Sequence, residues 1–167
     1  CLHNYLRNSF ITDGASTTAI GIKANFSENT TIAENNIGYF TGGNGVGIQI
    51  QNQYNRIIGN NIHDCDYGVV IYFIVRNIIA NNTFDHGYTN FIWLRGAGYN
   101  TVAGNIFLDC YSGGGNMIHI TDAGNAGNMI TNNVCTNDGV HTWTYFAKEE
   151  ATIGTTVPNT IAGNDFN

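Results

Sequence analysis

Asp64, His86 and Asp109 each fall four residues past one copy of a recurring asparagine, at Asn60, Asn82 and Asn105. Tyr39 and Asn137 hold the same place after Asn35 and Asn133. If each copy marks one turn of a stacked chain, strand spacing puts the two carboxylates roughly 10 Å apart with the imidazole between them. That separation lies near the upper end of what an inverting glycosidase leaves for a water between its acid and its base. An imidazole flanked by carboxylates also has its proton affinity raised, towards general-acid work. The same Asp residues suit a second role, closing turns through their short side chains. Asp64 and Asp109 both stand in "DC" pairs, and Asp66 and Asp122 are open to the same two readings.

A second set of side chains could hold a substrate. Segments of strict alternation, "AIGIK", "VGIQI", "GVVIY", "FIWLR", "MIHIT" and "VHTWT" (140–144), send every other residue inward. Ile48, Ile50, Val69, Ile71, Ile92, Leu94, Ile118 and Ile120 are thereby assigned to the core, with Ile20 and Ile22. The outward positions read Lys23, Gln49, Tyr72, Trp93, Arg95, His119, His141, Trp143 and Tyr145. Sugar rings present apolar C–H faces, and an aromatic ring offers a matching flat surface with a polar handle. Tyr72, Trp93, His141, Trp143 and Tyr145 are accordingly candidate substrate contacts. Arg95, His119, His86, Asp64 and Asp109 are candidate catalytic groups. Against this stands a packing role, since aromatic stacks also stabilise neighbouring strands.

The elements that would carry these residues are written in a repeat. "NTVAGNIF" at 100–107 returns as "NTIAGNDF" at 159–166, and the relaxed pattern N-x-[IV]-x-x-N-x-[IF] recurs as "NRIIGNNI", "NIIANNTF" and "NMITNNVC". A degenerate first copy, "HNYLRNSF", opens at His3 with Asn8 as its second asparagine. From Asn8 the gaps between second asparagines run 27, 25, 22, 23, 28 and 31 residues. A constant motif with elastic connectors in the twenties is the signature of a β-solenoid. The second asparagine belongs at a bend between two short strands, where Asn tolerates left-handed backbone and can bond the same amide one coil above and below. The result is an all-β chain of about six to seven three-stranded coils with an internal Asn ladder, in one domain spanning 1–167.

Composition sets outer bounds. The net charge is −6 with a pI near 5.1, which provides no basic surface for a nucleic-acid backbone. No apolar run approaches a membrane span. Cys65, Cys110 and Cys135 read as free thiols: Cys65 and Cys110 hold equivalent places two coils apart, beyond disulfide reach, and Cys135 takes the core place of Ile62, Phe84 and Phe107. His3, His63 and His119 do not converge in this register, so no metal and no cofactor is expected. "TGGNG" (41–45) reads as a tight turn, and "FAKEE" (146–150) as an excursion with Glu149 and Glu150 in solvent.

Three strands per coil, G-[IV]-x-[IV] followed by N-x-[IV]-x-x-N-x-[IF], and an Asn ladder resemble the right-handed parallel β-helix of pectin-lyase-like proteins. The resemblance runs from His3 to Phe166. It implies a polysaccharide partner lying along the G-[IV]-x-[IV] strands, lyase or hydrolase chemistry, and an extracellular, cell-surface or periplasmic setting. It is equally compatible with a glycan-binding or structural solenoid that does not cut. A more local similarity, in "NTF", "WLRG", "NTVAGNIF" and "GGNMIHI", is to family 6 polysaccharide lyases. Arg95 there matches an Arg that works beside a uronate carboxylate, while that family's Lys and calcium-binding acidic residues have no counterpart. Without an amphipathic helix at either end, the chain is expected to be part of a longer solenoid or to stack end to end or side by side with a second copy.

Overall fold

The computed structural model describes residues 4–12, 18–25, 28–110, 115–122, 124–136, 144–150 and 158–166. Among the described residues, successive turns of the chain each contribute one short strand to each of three parallel sheets, except the last, which adds a strand to the first two alone. The first sheet has seven strands, Tyr5–Arg7, Thr31–Ala33, Arg56–Ile58, Ile78–Ala80, Thr101–Ala103, Met129–Thr131 and Thr160–Ala162. The second also has seven: Phe10–Thr12, Asn36–Phe40, Asn61–Cys65, Thr83–Gly87, Ile106–Cys110, Val134–Thr136 and Asp165–Phe166. The third has six, Ile20–Ala24, Val46–Ile50, Tyr67–Tyr72, Asn90–Arg95, Asn116–Thr121 and Tyr145–Glu149. The architecture is the expected all-β, three-stranded solenoid.

Alternation decides the core. Ile48, Ile50, Val69, Ile71, Ile92, Leu94, Ile118 and Ile120 are fully buried, stacked in columns with Ile57, Ile79, Val102 and Ile130 from the first sheet. Ile20 and Ile22, near one end, are only partly covered. Where the second sheet meets the third, large and small residues compensate. Phe40 fills the space over Gly21, and Phe91 fills the space beside Gly87, where an added Cβ would lie 2.4 Å from its ring. Phe84 and Phe107 stack face to face at 5.1 Å in the next column.

The Asn ladder is present, and it is double. Along the second asparagines, each Oδ1 accepts both the backbone N–H and the Nδ2–H of the coil before: Asn35 to Asn60, Asn60 to Asn82, Asn82 to Asn105, Asn105 to Asn133 and Asn133 to Asn164, all at 2.9–3.0 Å. The opening asparagines of the motif make a parallel ladder through Asn55, Asn77, Asn100, Asn128 and Asn159. The residue that turns left-handed is the one before the ladder position: Glu34, Gly59, Asn81, Gly104, Asn132 and Gly163 before the first ladder, and Tyr54, Arg76, Tyr99 and Gly127 before the second, with Asn29 before Thr30, whose N–H donates to Asn55 Oδ1; Pro158, before Asn159, is the exception. The asparagine itself keeps ordinary backbone, because its amide must point along the axis.

Three expectations are corrected, the first being that the second asparagine itself takes the left-handed backbone. In the first coil the motif opens at Asn4 rather than His3. Asn8 takes the left-handed place (φ 54°), and Ser9 stands in the ladder with its N–H donated to Asn35 Oδ1. At the far end, the sixth strand of the third sheet is Tyr145–Glu149, with Ala147 opposite Ile118. It is not the 140–144 segment, and "FAKEE" begins inside a strand. Phe146 enters the core there, 6.2 Å from Phe107. Residues 137–143, and with them Asn137, His141 and Trp143, lie outside the described residues.

Candidate functional site

The outward face of the third sheet brings together one aromatic and charged cluster. In register, Gln49, Val70, Trp93, His119 and Lys148 form a column, and Tyr72, Arg95 and Thr121 form the next. Parallel pairing sets the pitch of these columns at about 4.8 Å, so consecutive side chains must stack or splay. Trp93 stacks on Tyr67 (centroids 5.3 Å, planes 24° apart) and faces His119 on its other side (6.2 Å, 13°). Its Nε1–H donates to Thr121 Oγ1 at 2.8 Å. Tyr72 leans in at 6.3 Å, and the Arg95 guanidinium lies 5.6 Å from the Tyr72 centroid and 5.3 Å from that of Trp93. Val70, outward and apolar in the column between Gln49 and Trp93, is wholly buried.

Charge is arranged in pairs around this platform. Arg95 Nε donates to Asp122 Oδ2 at 2.6 Å, and that bond raises the guanidinium pKa, fixing its charge. His119 Nε2 lies 3.0 Å from Glu150 Oε1, and this contact first, with Lys148 beyond it, lowers the pKa of the carboxyl. Asn116 Nδ2 donates to Asn90 Oδ1 at 2.9 Å, which turns Asn90 Nδ2 towards His119 Nδ1 at 3.5 Å. An amide donor on that side suits the tautomer with its proton on Nε2, donated to Glu150. Both ring nitrogens are thus engaged, and His119 is held rather than poised. Tyr67, partly buried, has its phenol pKa raised by that burial.

Asp64, His86 and Asp109 do stack, together with Tyr39, and they do so within the strands of the second sheet. All four are left-handed, with φ between 33° and 66°. The cause is a repeated bulge. The neighbours of Asp64 and His86, Ile62 and Cys65 or Phe84 and Gly87, are buried, so the residues between them must both leave the core, and one takes left-handed backbone to do so. Adjacent outward pairs result. His63 Nδ1 lies 2.9 Å from Asp64 Oδ2, with Nε2 2.8 Å from Asn36 Oδ1. His86 Nδ1 lies 2.8 Å from Asp85 Oδ1. Asp66 is a turn clamp: its buried carboxylate accepts from the N–H groups of Gly43 and Gly45 at 2.7 and 2.8 Å, closing the "TGGNG" turn of the coil before.

A family model described as a right handed beta helix region matches residues 3–166. The chain belongs to the right-handed β-helix family. No curated protein and no solved structure matches it. In this β-helix the candidate residues therefore fall into two groups on different sheets. Tyr72, Trp93, Arg95 and His119 converge on the third, and Tyr145 stands exposed at the start of its last described strand, opposite Asn116. Asp64, His86 and Asp109 line the second.

Several members of the third-sheet cluster were invisible in the repeat. Tyr67 occupies a strand-opening place that other coils fill with Val46, Asn90 and Asn116, so nothing marked it as aromatic-facing. Glu150, assigned to solvent, meets His119 because the last strand begins later than the alternation suggested. Asp122, weighed as a turn residue, is left-handed (φ 70°) and is also the partner of Arg95.

Proposed function

We propose that this β-helix binds a polysaccharide along the outward face of its third sheet. The observation that carries this is the partly exposed Trp93 ring, continued by Tyr67 on one side and His119 on the other and flanked by Arg95. Stacked rings running along the solenoid axis offer a flat, repeating surface to successive sugar units, and the paired charges at its margins offer hydrogen bonds to hydroxyl or carboxylate groups. Such a ligand is met outside the cell or at its surface.

A cleaving activity on the same face is the second reading, favoured by Arg95, His119 and Glu150 standing beside the platform. The occupied nitrogens of His119 speak for binding first, since taking or giving a proton requires breaking its contact with Glu150 or Asn90.

Affinity electrophoresis through neutral and acidic polysaccharides tests binding, with ultraviolet absorbance and new reducing ends followed in parallel. Retardation by at least one polysaccharide, lost in Trp93→Ala, supports the proposal. Absorbance and reducing ends rising together would make it a lyase, and reducing ends alone a hydrolase. No retardation by any polysaccharide, with Trp93→Asp converting an oligomer to monomer in ultracentrifugation, would replace the glycan with a second copy of the chain.

A further inference from the structure

From the second sheet, and independently of the glycan reading, we infer that Asp85, His86 and Asp109 form a binding site for a first-row divalent metal ion such as zinc or cobalt. One donor atom from each of the three lies within 4.8 Å of the other two. Donors held at about 2.0–2.2 Å around such an ion stand about 3–4 Å from one another, so small side-chain rotations close the set.

The site is built by the fold rather than by a loop. Asp85 and His86 sit on Thr83–Gly87, Asp109 on Ile106–Cys110, and the two strands pair in parallel with Asp85 opposite Leu108 and Gly87 opposite Cys110. The bulge sends both Asp85 and His86 outward from one strand, and the same bulge one coil on presents Asp109, with left-handed backbone at His86 (φ 49°) and Asp109 (φ 33°). Beneath them the stacked rings of Phe84 and Phe107 anchor both strands at one height. All three side chains are half-buried, which limits the rotamer freedom lost on binding.

Donor chemistry selects the ion. One imidazole and two carboxylates suit zinc, cobalt or nickel. Calcium takes six to eight oxygens, and magnesium near-octahedral oxygen with several waters, which a three-residue set containing nitrogen matches poorly. Three protein ligands leave a position for water or an incoming oxygen ligand.

The test uses the full chain, stripped with chelator, and cobalt(II) as the probe. The expected result is saturable uptake of one cobalt per chain with visible ligand-field bands, displaced by zinc, and weakened at least tenfold in Asp85→Ala, His86→Asn and Asp109→Asn. Asn tolerates the left-handed backbone at the last two positions, and His63→Gln should bind as the parent does. Paramagnetic broadening by manganese(II) in the unsubstituted chain gives a readout free of any folding defect. The resonances of residues 85–86 and 108–109 should broaden first. Absence of saturable cobalt or zinc binding, binding unchanged in all three variants, broadening centred elsewhere, or uptake of calcium alone would each overturn the inference.

Discussion

The indole of Trp93 stacks on Tyr67 at 5.3 Å and is pinned from the next coil by the hydroxyl of Thr121, which accepts from Nε1 at 2.8 Å. A ring held on two sides presents its remaining surface in one orientation, and a binding platform needs that order. Trp93→Phe keeps a ring and loses the pin, whereas Trp93→Ala removes both. Under the glycan proposal, affinity should fall about tenfold or more in Trp93→Ala, on the order of 1.4 kcal/mol, and less in Trp93→Phe. Isothermal titration with whichever polysaccharide retards the chain would show it.

Ladder position should set the cost of losing an asparagine. Asn82 Oδ1 accepts two bonds from Asn60, and its Nδ2 donates to Ile57 O and Asn105 Oδ1. Asn82→Ala leaves the buried N–H groups of Asn60 without their acceptor, each at about 1–3 kcal/mol. Asn164 is partly exposed, and solvent can replace what Asn164→Ala removes. Urea unfolding should show a midpoint drop for Asn82→Ala several-fold larger than for Asn164→Ala. Equal drops would mean that the ladder contributes nothing beyond local structure.

Gly87 and Phe91 should behave as a coupled pair. A methyl at Gly87 lies 2.4 Å from the Phe91 ring, and that ring is hemmed by Phe84 at 5.8 Å and Phe107 at 5.7 Å. Gly87→Ala is expected to cost about 1–3 kcal/mol through overpacking, and Phe91→Leu to cost a similar amount through lost volume. The double variant should be more stable than the sum of the two changes allows, read as a double-mutant cycle. Strict additivity would remove the steric explanation.

Burial raises the thiol pKa of both Cys65 and Cys135 to about 12. An unfolded thiol ionises near the ordinary value of about 8.5, so the unfolded chain releases these protons first. The contribution of the neutral thiols is complete below that ordinary value and is lost as pH rises towards about 12. Native protein at pH 8 should react with a thiol reagent at Cys65 and Cys135 no faster than it unfolds. Replacing both with Ala should flatten the loss of stability above about pH 9. Rapid labelling of either thiol in the native state would contradict the burial.

The Asp66 clamp makes a local prediction. Asp66→Ala strands the N–H groups of Gly43 and Gly45, which now donate to a carboxylate at 2.7 and 2.8 Å. Bonds to a charged acceptor are worth about 1.5–3 kcal/mol each. The variant should lower the unfolding midpoint and speed amide exchange at Gly43 and Gly45 before the rest of the coil. Unchanged exchange at both glycines would refute the clamp.

Much of the fold was legible because a solenoid repeats its own environment. Each coil must offer its neighbours the same groups at the same height, so the buried Ile and Val columns and the Asn positions recur as letters. The alternation of "FIWLR" and "MIHIT" placed Trp93 and His119 outward on one sheet. Legibility failed where the repeat decays. In the first coil Ser9 replaces the ladder asparagine and the register slips by one residue, and near the end of the chain a longer connector moves the last third-sheet strand to Tyr145–Glu149.

What the sequence by itself determined is the set of periodic facts: three strands per coil, which face of each is buried, and the identity of the axial hydrogen-bonding residue. These follow from local alternation and from translation along one axis, which a linear pattern encodes directly. Only the tertiary structure decided which non-repeating side chains meet. Glu150 against His119, Asp122 against Arg95 and Asp85 beside His86 and Asp109 depend on the bulges, on left-handed corners and on the exact start of a strand. Those features shift a side chain to another face by one residue, and no period announces them.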